Sequence, residues 1–67
     1  MILAKKIAHD KWIKNVQIAN KTGLAESTIS NIMNGRYYPY PSQAKKIALA
    51  LEYDGDIDEL FKEAYDG

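Results

Sequence analysis

Apolar residues recur at helical spacing along almost the whole chain, and no run of alternating β-branched residues suggests a sheet. Leu3 with Ile7, and Ala4 with Ala8, stand four apart, which predicts a first helix over residues 2–10. Residues 9–14 read as a bend, with Trp12 expected as a core plug and Ile13 covering the inner ends of neighbouring helices. A second helix is expected over 15–22 and a third over 25–34. Asn34 and Gly35 close the third, because glycine suits the position just past a helix end. Residues 36–41 cannot be helical: Pro39 and Pro41 each lack a donor and bias the preceding residue toward extended geometry. Ser42 then reads as the N-cap of a fourth helix over 43–52, with Ala44, Ile47, Ala48 and Leu51 as its apolar stripe. After a turn at 53–55, Asp56 caps a fifth helix over 57–65, facing Ile57, Leu60, Phe61 and Ala64 inward. The prediction is an all-α single domain spanning residues 1–67, with five short helices around one core.

Residues 15–35 carry the most specific spacing. Ala19 is small enough for two helices to cross closely, and Gly23 can take the positive φ that a tight connection requires. Ile29 and Ile32 turn one face of the third helix inward and leave Glu26, Ser27 and Asn31 outward. Such a pair is a helix-turn-helix, whose second helix fits a DNA major groove.

With these parts in order, residues 3–61 resemble the Cro-like and lambda-repressor-like helix-turn-helix regulators of the XRE family. The resemblance rests on Ile18, Ala19, Gly23, Leu24, then Ser27 to Ser30, Ile32, Asn34 and Gly35; Pro41, Ile47, Ala48, Leu51 and residues 58–61 echo the family's last two helices. It implies a compact five-helix lambda-repressor-like domain that binds operator double-stranded DNA, as a homodimer at least when on DNA. By position, it places Ala25, Glu26, Ser27 and Asn31 as base-reading residues. It places Lys14, Asn15, Thr28, Asn34 and Arg36 against phosphates. Asn15 stands where the family prefers the longer glutamine, and Ala25 where it prefers a serine or threonine cap. A buried arginine–glutamate pair common in the family aligns with Ala8 and Met33, an exchange that is coherent because an apolar pair can replace a buried ion pair without loss.

Charge strengthens this picture. The net charge is zero, but residues 1–51 hold Lys5, Lys6, Lys11, Lys14, Lys21, Arg36, Lys45 and Lys46 against only Asp10 and Glu26. Residues 52–67 hold seven acids against Lys62. A body with a surplus of six positive charges and an end with a surplus of six negative suits a polyanion-binding surface facing away from an acidic terminus. The chain has no cysteine, which removes disulfide frameworks and thiolate metal sites. At 67 residues it buries only about 60% of its unfolded surface. No signal-peptide-like start and no stretch of membrane-span length are evident, so a cytoplasmic, nucleoid-associated protein is expected.

Individual side chains have ordinary and functional readings. Glu26 is either a first-turn carboxylate favoured by the helix dipole or an acceptor for cytosine N4, and one residue can do both. Asn31, a poor helix former on the outer face, has the geometry for adenine N6 and N7. Lys14, Arg36 and Lys45 are either solvated or supply phosphate contacts that carry no sequence information. Among Tyr37, Tyr38 and Tyr40, one is expected to be a lid on the core, with Tyr37 and Tyr38 also candidate phosphate contacts. His9 has no partner in the pattern for catalysis, and the acids at 52–59 lack a calcium-loop pattern. No cofactor, metal, small-molecule ligand or enzymatic activity is expected. The expected function is a small phage or mobile-element repressor of the Cro type reading a near-palindromic operator. Alternatives are a protein-interaction module such as an antitoxin-like or anti-repressor partner, and a DNA-bending recombination-directionality factor.

Overall fold

Seven large side chains leave solvent almost completely, and they dictate how the helices meet: Ile18, Ile29, Ile32, Ile47, Leu51, Leu60 and Phe61. The computed structural model describes residues 2–36 and 38–62. Among them are five helices and no strand: α1 (Leu3–Asp10), α2 (Asn15–Thr22), α3 (Glu26–Met33), α4 (Pro41–Ala50) and α5 (Ile57–Phe61). α2 packs on both α3 and α4, while α5 closes the other side against α1 and α4. Ala4, Ala8, Ala19, Ala44 and Ala48 are all buried, and these small residues let short helices approach around a core with a Cα radius of gyration of 10.3 Å. Ala8 and Met33 are both buried, so the apolar exchange expected from the resemblance sits inside the core.

The helix ends are built by a repeated device. At the end of α1 the Trp12 N–H bonds the His9 carbonyl at 3.2 Å, and the Ile13 N–H reaches the Ala8 carbonyl at 2.8 Å. This is a Schellman turn, with its left-handed residue at Trp12 (φ 59°). α3 ends in the same way on Gly35 (φ 72°), and α4 on Glu52 (φ 58°). α2 ends more simply, on Gly23 (φ 76°), whose N–H bonds the Ala19 carbonyl at 2.8 Å. Thr22, the only buried polar residue described, completes that corner. Its hydroxyl donates to the Ile18 carbonyl at 2.8 Å and accepts the Leu24 N–H at 3.2 Å.

Two expectations, for Trp12 and for the start of the fourth helix, are corrected. Trp12 is not a core plug: it is 88% exposed. The left-handed turn that drops Ile13 back onto the core throws the preceding side chain outward. The fourth helix begins earlier than expected, with Pro41 at its first position and Tyr40 as N-cap, so Ser42 lies inside the helix. Proline costs nothing there, since a first-turn amide has no intrahelical acceptor. Instead of a Ser42 cap, the Gln43 side-chain oxygen turns back to accept the Tyr40 N–H at 3.0 Å. The third helix starts at Glu26 and ends at Met33, with Ala25 and Asn34 as its caps. Asp56 does cap α5, accepting the Asp58 N–H at 3.0 Å. That helix is described to Phe61, with Lys62 as its C-cap. The expectations for Ala64 and Tyr37 lie outside the described residues.

Candidate nucleic-acid interface

α3 divides into two faces by the arithmetic of 3.6 residues per turn. Ile29, Ile32 and Met33 are buried, whereas Glu26 and Ser27 are exposed and Ser30 and Asn31 are half-buried. Ala25 precedes them, exposed and in extended geometry, with no side-chain cap for the first-turn amides. Glu26 and Ser27 make no side-chain hydrogen bond among the described residues, so their polar atoms are left outward. Thr28, half-buried, sits on the flank of this face.

The outer face is tied at its C-terminal end by two links. The Arg36 Nη1 donates to the Asn31 Oδ1 at 3.0 Å, so the candidate base reader and the candidate phosphate contact form one unit. Asn34 donates to the Ser30 hydroxyl at 3.3 Å and accepts from the Lys5 ammonium at 2.9 Å. The second link brings α1 to the end of α3.

A cleft of about 400 Å³ opens beside the first turn of α3. Lys14, Asn15 and Val16 at the start of α2 form one wall, and Glu26, Ile13 and Lys5, Ala8 and His9 of α1 line the rest. The Gln17 side chain holds this end of α2 by accepting the Lys14 N–H at 2.7 Å. The amides of Asn15 and Val16 have no carbonyl within the helix to bond, so this wall presents donors and the positive end of the helix dipole. Asn15 is half-buried, and its side chain makes no hydrogen bond among the described residues.

The structure therefore gathers Lys14, Asn15 and the α3 residues into one region and adds three groups that the sequence reading missed. Lys5 and His9 lie four apart on α1, and Ser30 lies four from both Glu26 and Asn34. Those spacings were visible, but nothing in the chain alone said which side of α1 faced the start of α2. Tyr38 and Lys45 are placed elsewhere. Tyr38 packs edge-on against Phe61, with ring centroids 5.9 Å apart, and its hydroxyl lies 3.5 Å from the Asp58 carboxylate. It is the core lid, and its hydroxyl faces the Asp58 carboxylate at the start of α5. Lys45 lines a groove with Tyr38, Pro41, Ile57 and Asp58 between α4 and the start of α5.

A helix-turn-helix family model matches residues 13–57, more than half of the chain. The chain belongs to the Cro/XRE-type helix-turn-helix family. No curated protein and no solved structure matches it. This helix-turn-helix protein is thus a DNA-binding regulator with the lambda-repressor-like five-helix fold. The match takes in α2, α3 and α4, and Lys5 and His9 enter the cleft from α1, outside the matched stretch. Among the described residues, no helix is long and apolar enough to cross a membrane.

Proposed function

We infer that the protein is a small sequence-specific repressor of the Cro type, which inserts α3 into the major groove of a near-palindromic operator. The observation that carries this reading is the division of α3: Ile29, Ile32 and Met33 are buried, while Glu26 and Ser27 are exposed without internal partners. That leaves a polar, solvent-facing side on a helix whose other side is fully buried, as insertion into a groove requires. Ala25, Glu26, Ser27 and Asn31 read base edges. Lys14, Asn15, Thr28, Asn34 and Arg36 bond phosphates, joined by Lys5 and His9, which line the same cleft as Lys14 and Asn15. The phosphate contacts release counterions and supply affinity; the base contacts supply discrimination.

Two subunits bind half-sites about 34 Å apart, one helical turn of DNA. Support for a dimer comes from the side of the molecule that carries Lys45. There Leu49 stands 77% exposed, beside a second cavity that Lys45 and Ile57 share with the first. Lys45 lies between Asp54 and Asp58 along these cavities, so a two-fold arrangement can set each lysine against the other copy's carboxylates.

Selection of binding sites from random duplexes tests the reading, and a symmetric enriched motif is expected. Asn31→Ala should relax preference at one base pair, costing about 1–3 kcal/mol on the selected site. Arg36→Ala should weaken binding to every duplex and reduce the salt slope by about one. Because Arg36 also holds Asn31, it should loosen preference at that same base pair. No enrichment at low ionic strength, or full biological activity after Lys14→Glu and Arg36→Glu together, would replace this reading with a protein-interaction module.

A further inference from the structure

Trp12 is the chain's one tryptophan, and the fold makes no use of its side chain. It is 88% exposed, and its side chain makes no hydrogen bond or ring contact among the described residues. It also occupies a left-handed backbone position (φ 59°) that costs a non-glycine residue energy and that Gly35 fills at the equivalent corner of α3. The hydrogen bonds of the turn are all main-chain bonds, so glycine would close it equally well. A large, exposed aromatic held where a cheaper residue would serve points to work outside the monomer.

Its neighbours indicate with what. The next three residues, Ile13, Lys14 and Asn15, line the cleft at the start of α2 together with Glu26. The backbone of Trp12 therefore adjoins the cleft through Ile13, directly before the residues that lead into α2. The preceding Lys11 ties its ammonium to the Leu51 carbonyl at 2.7 Å, which anchors the corner to the end of α4 and leaves Trp12 on a fixed backbone.

We propose that Trp12 contacts the sugar–phosphate backbone of the duplex just outside the stretch read by α3, with its indole N–H donating to a phosphate oxygen and its ring lying against the deoxyribose. This extends the footprint of each subunit without adding base readout, and it rests on the DNA-binding reading above. An indole has one donor, which a phosphate can accept, and an apolar face suited to sugar carbons.

Because no other tryptophan contributes, the emission of the native protein reports on this contact directly. Titration with a selected duplex should quench or shift Trp12 emission in step with complex formation seen by mobility shift. Duplexes trimmed from their ends, so that the bases read by α3 remain but the flank is gone, should bind without the emission change. Trp12→Gly should weaken binding to all long duplexes about five- to tenfold, with base preference unchanged. It should also melt about 5 °C higher than the native protein, which rules out misfolding as the cause. Glu52→Gly, the same backbone change at the other strained corner, should leave DNA affinity as it was. Unaltered emission in a complex that mobility shift detects, or full affinity of Trp12→Gly, overturns the proposal while leaving the DNA-binding reading intact. Emission that changes with protein concentration in the absence of DNA overturns it in favour of a contact between copies. Failure of the native protein to bind any duplex removes both.

Discussion

The C-terminal corners of α1 and α3 make the same pair of hydrogen bonds and turn on opposite kinds of residue. At the end of α3, Gly35 takes φ 72° at no steric cost, and Arg36 follows it directly, free to reach Asn31. At the end of α1, Trp12 takes φ 59°, and at the end of α4 Glu52 takes φ 58°. A side chain in this region costs about 1–2 kcal/mol through its clash with the local backbone. The two glycine corners, at Gly23 and Gly35, bracket α3 and set its angle. The two strained corners lie at the ends of α1 and α4, joined by Lys11 and the Leu51 carbonyl. Low-strain backbone thus brackets α3, and strain is tolerated at the ends of α1 and α4.

Forcing strain into a glycine corner should break this arrangement most severely. Gly23→Val should cost about 2 kcal/mol, lowering the thermal midpoint by about 10 °C. The cause is backbone conformation alone, since a Cβ at Gly23 meets nothing within 4 Å. A smaller loss of about 1.5 kcal/mol is expected from Thr22→Val at the same corner. That change keeps the shape but leaves the half-buried Leu24 N–H without its 3.2 Å acceptor. Urea denaturation followed by circular dichroism measures both, and equal stability of Thr22→Val and the native protein would show that water replaces the hydroxyl.

These corners also show why some of the molecule was legible in the chain and some was not. Gly23 and Gly35 announced their turns because glycine is the usual occupant of a left-handed cap, and the spacing from Ala19 to Ile32 then placed α2 and α3 correctly. Trp12 announced the opposite of its position. A lone tryptophan next to Ile13 has a strong burial signal, and nothing local says that the backbone will turn left-handed at it. The start of α4 was missed for a related reason: Ser42 is a good cap by its own chemistry, but Pro41 is a better first residue, and Gln43 supplies the acceptor from inside. In the candidate interface, the placing of Lys14, Asn15 and the outer face of α3 followed from position along two helices. Lys5 and His9 required knowing how α1 docks, and Tyr38 required knowing that Phe61 lies opposite.

Relieving strain should sharpen the comparison in the other direction. Glu52→Gly should gain about 1 kcal/mol and raise the thermal midpoint by about 5 °C, since the turn keeps its Leu49 and Ala48 acceptors. Any gain well below that would mean that the lost side chain, or the greater freedom of glycine in the unfolded chain, offsets the relief.

The smallest effect is expected at the link between the strained corners. Lys11→Met keeps most of the aliphatic stem but removes the ammonium that bonds the Leu51 carbonyl at 2.7 Å, one of the last-turn carbonyls of α4 with no intrahelical donor. A cation at a helix C-terminus and one partly buried hydrogen bond together should contribute about 0.5 kcal/mol, less in high salt. If Lys11 only caps α4, the loss should be the same in the native and Glu52→Gly backgrounds, because glycine leaves the Leu51 carbonyl where it was. If the ammonium also holds the two strained turns against each other, the loss should shrink once Glu52 is glycine, and a double-mutant cycle in urea separates the two cases.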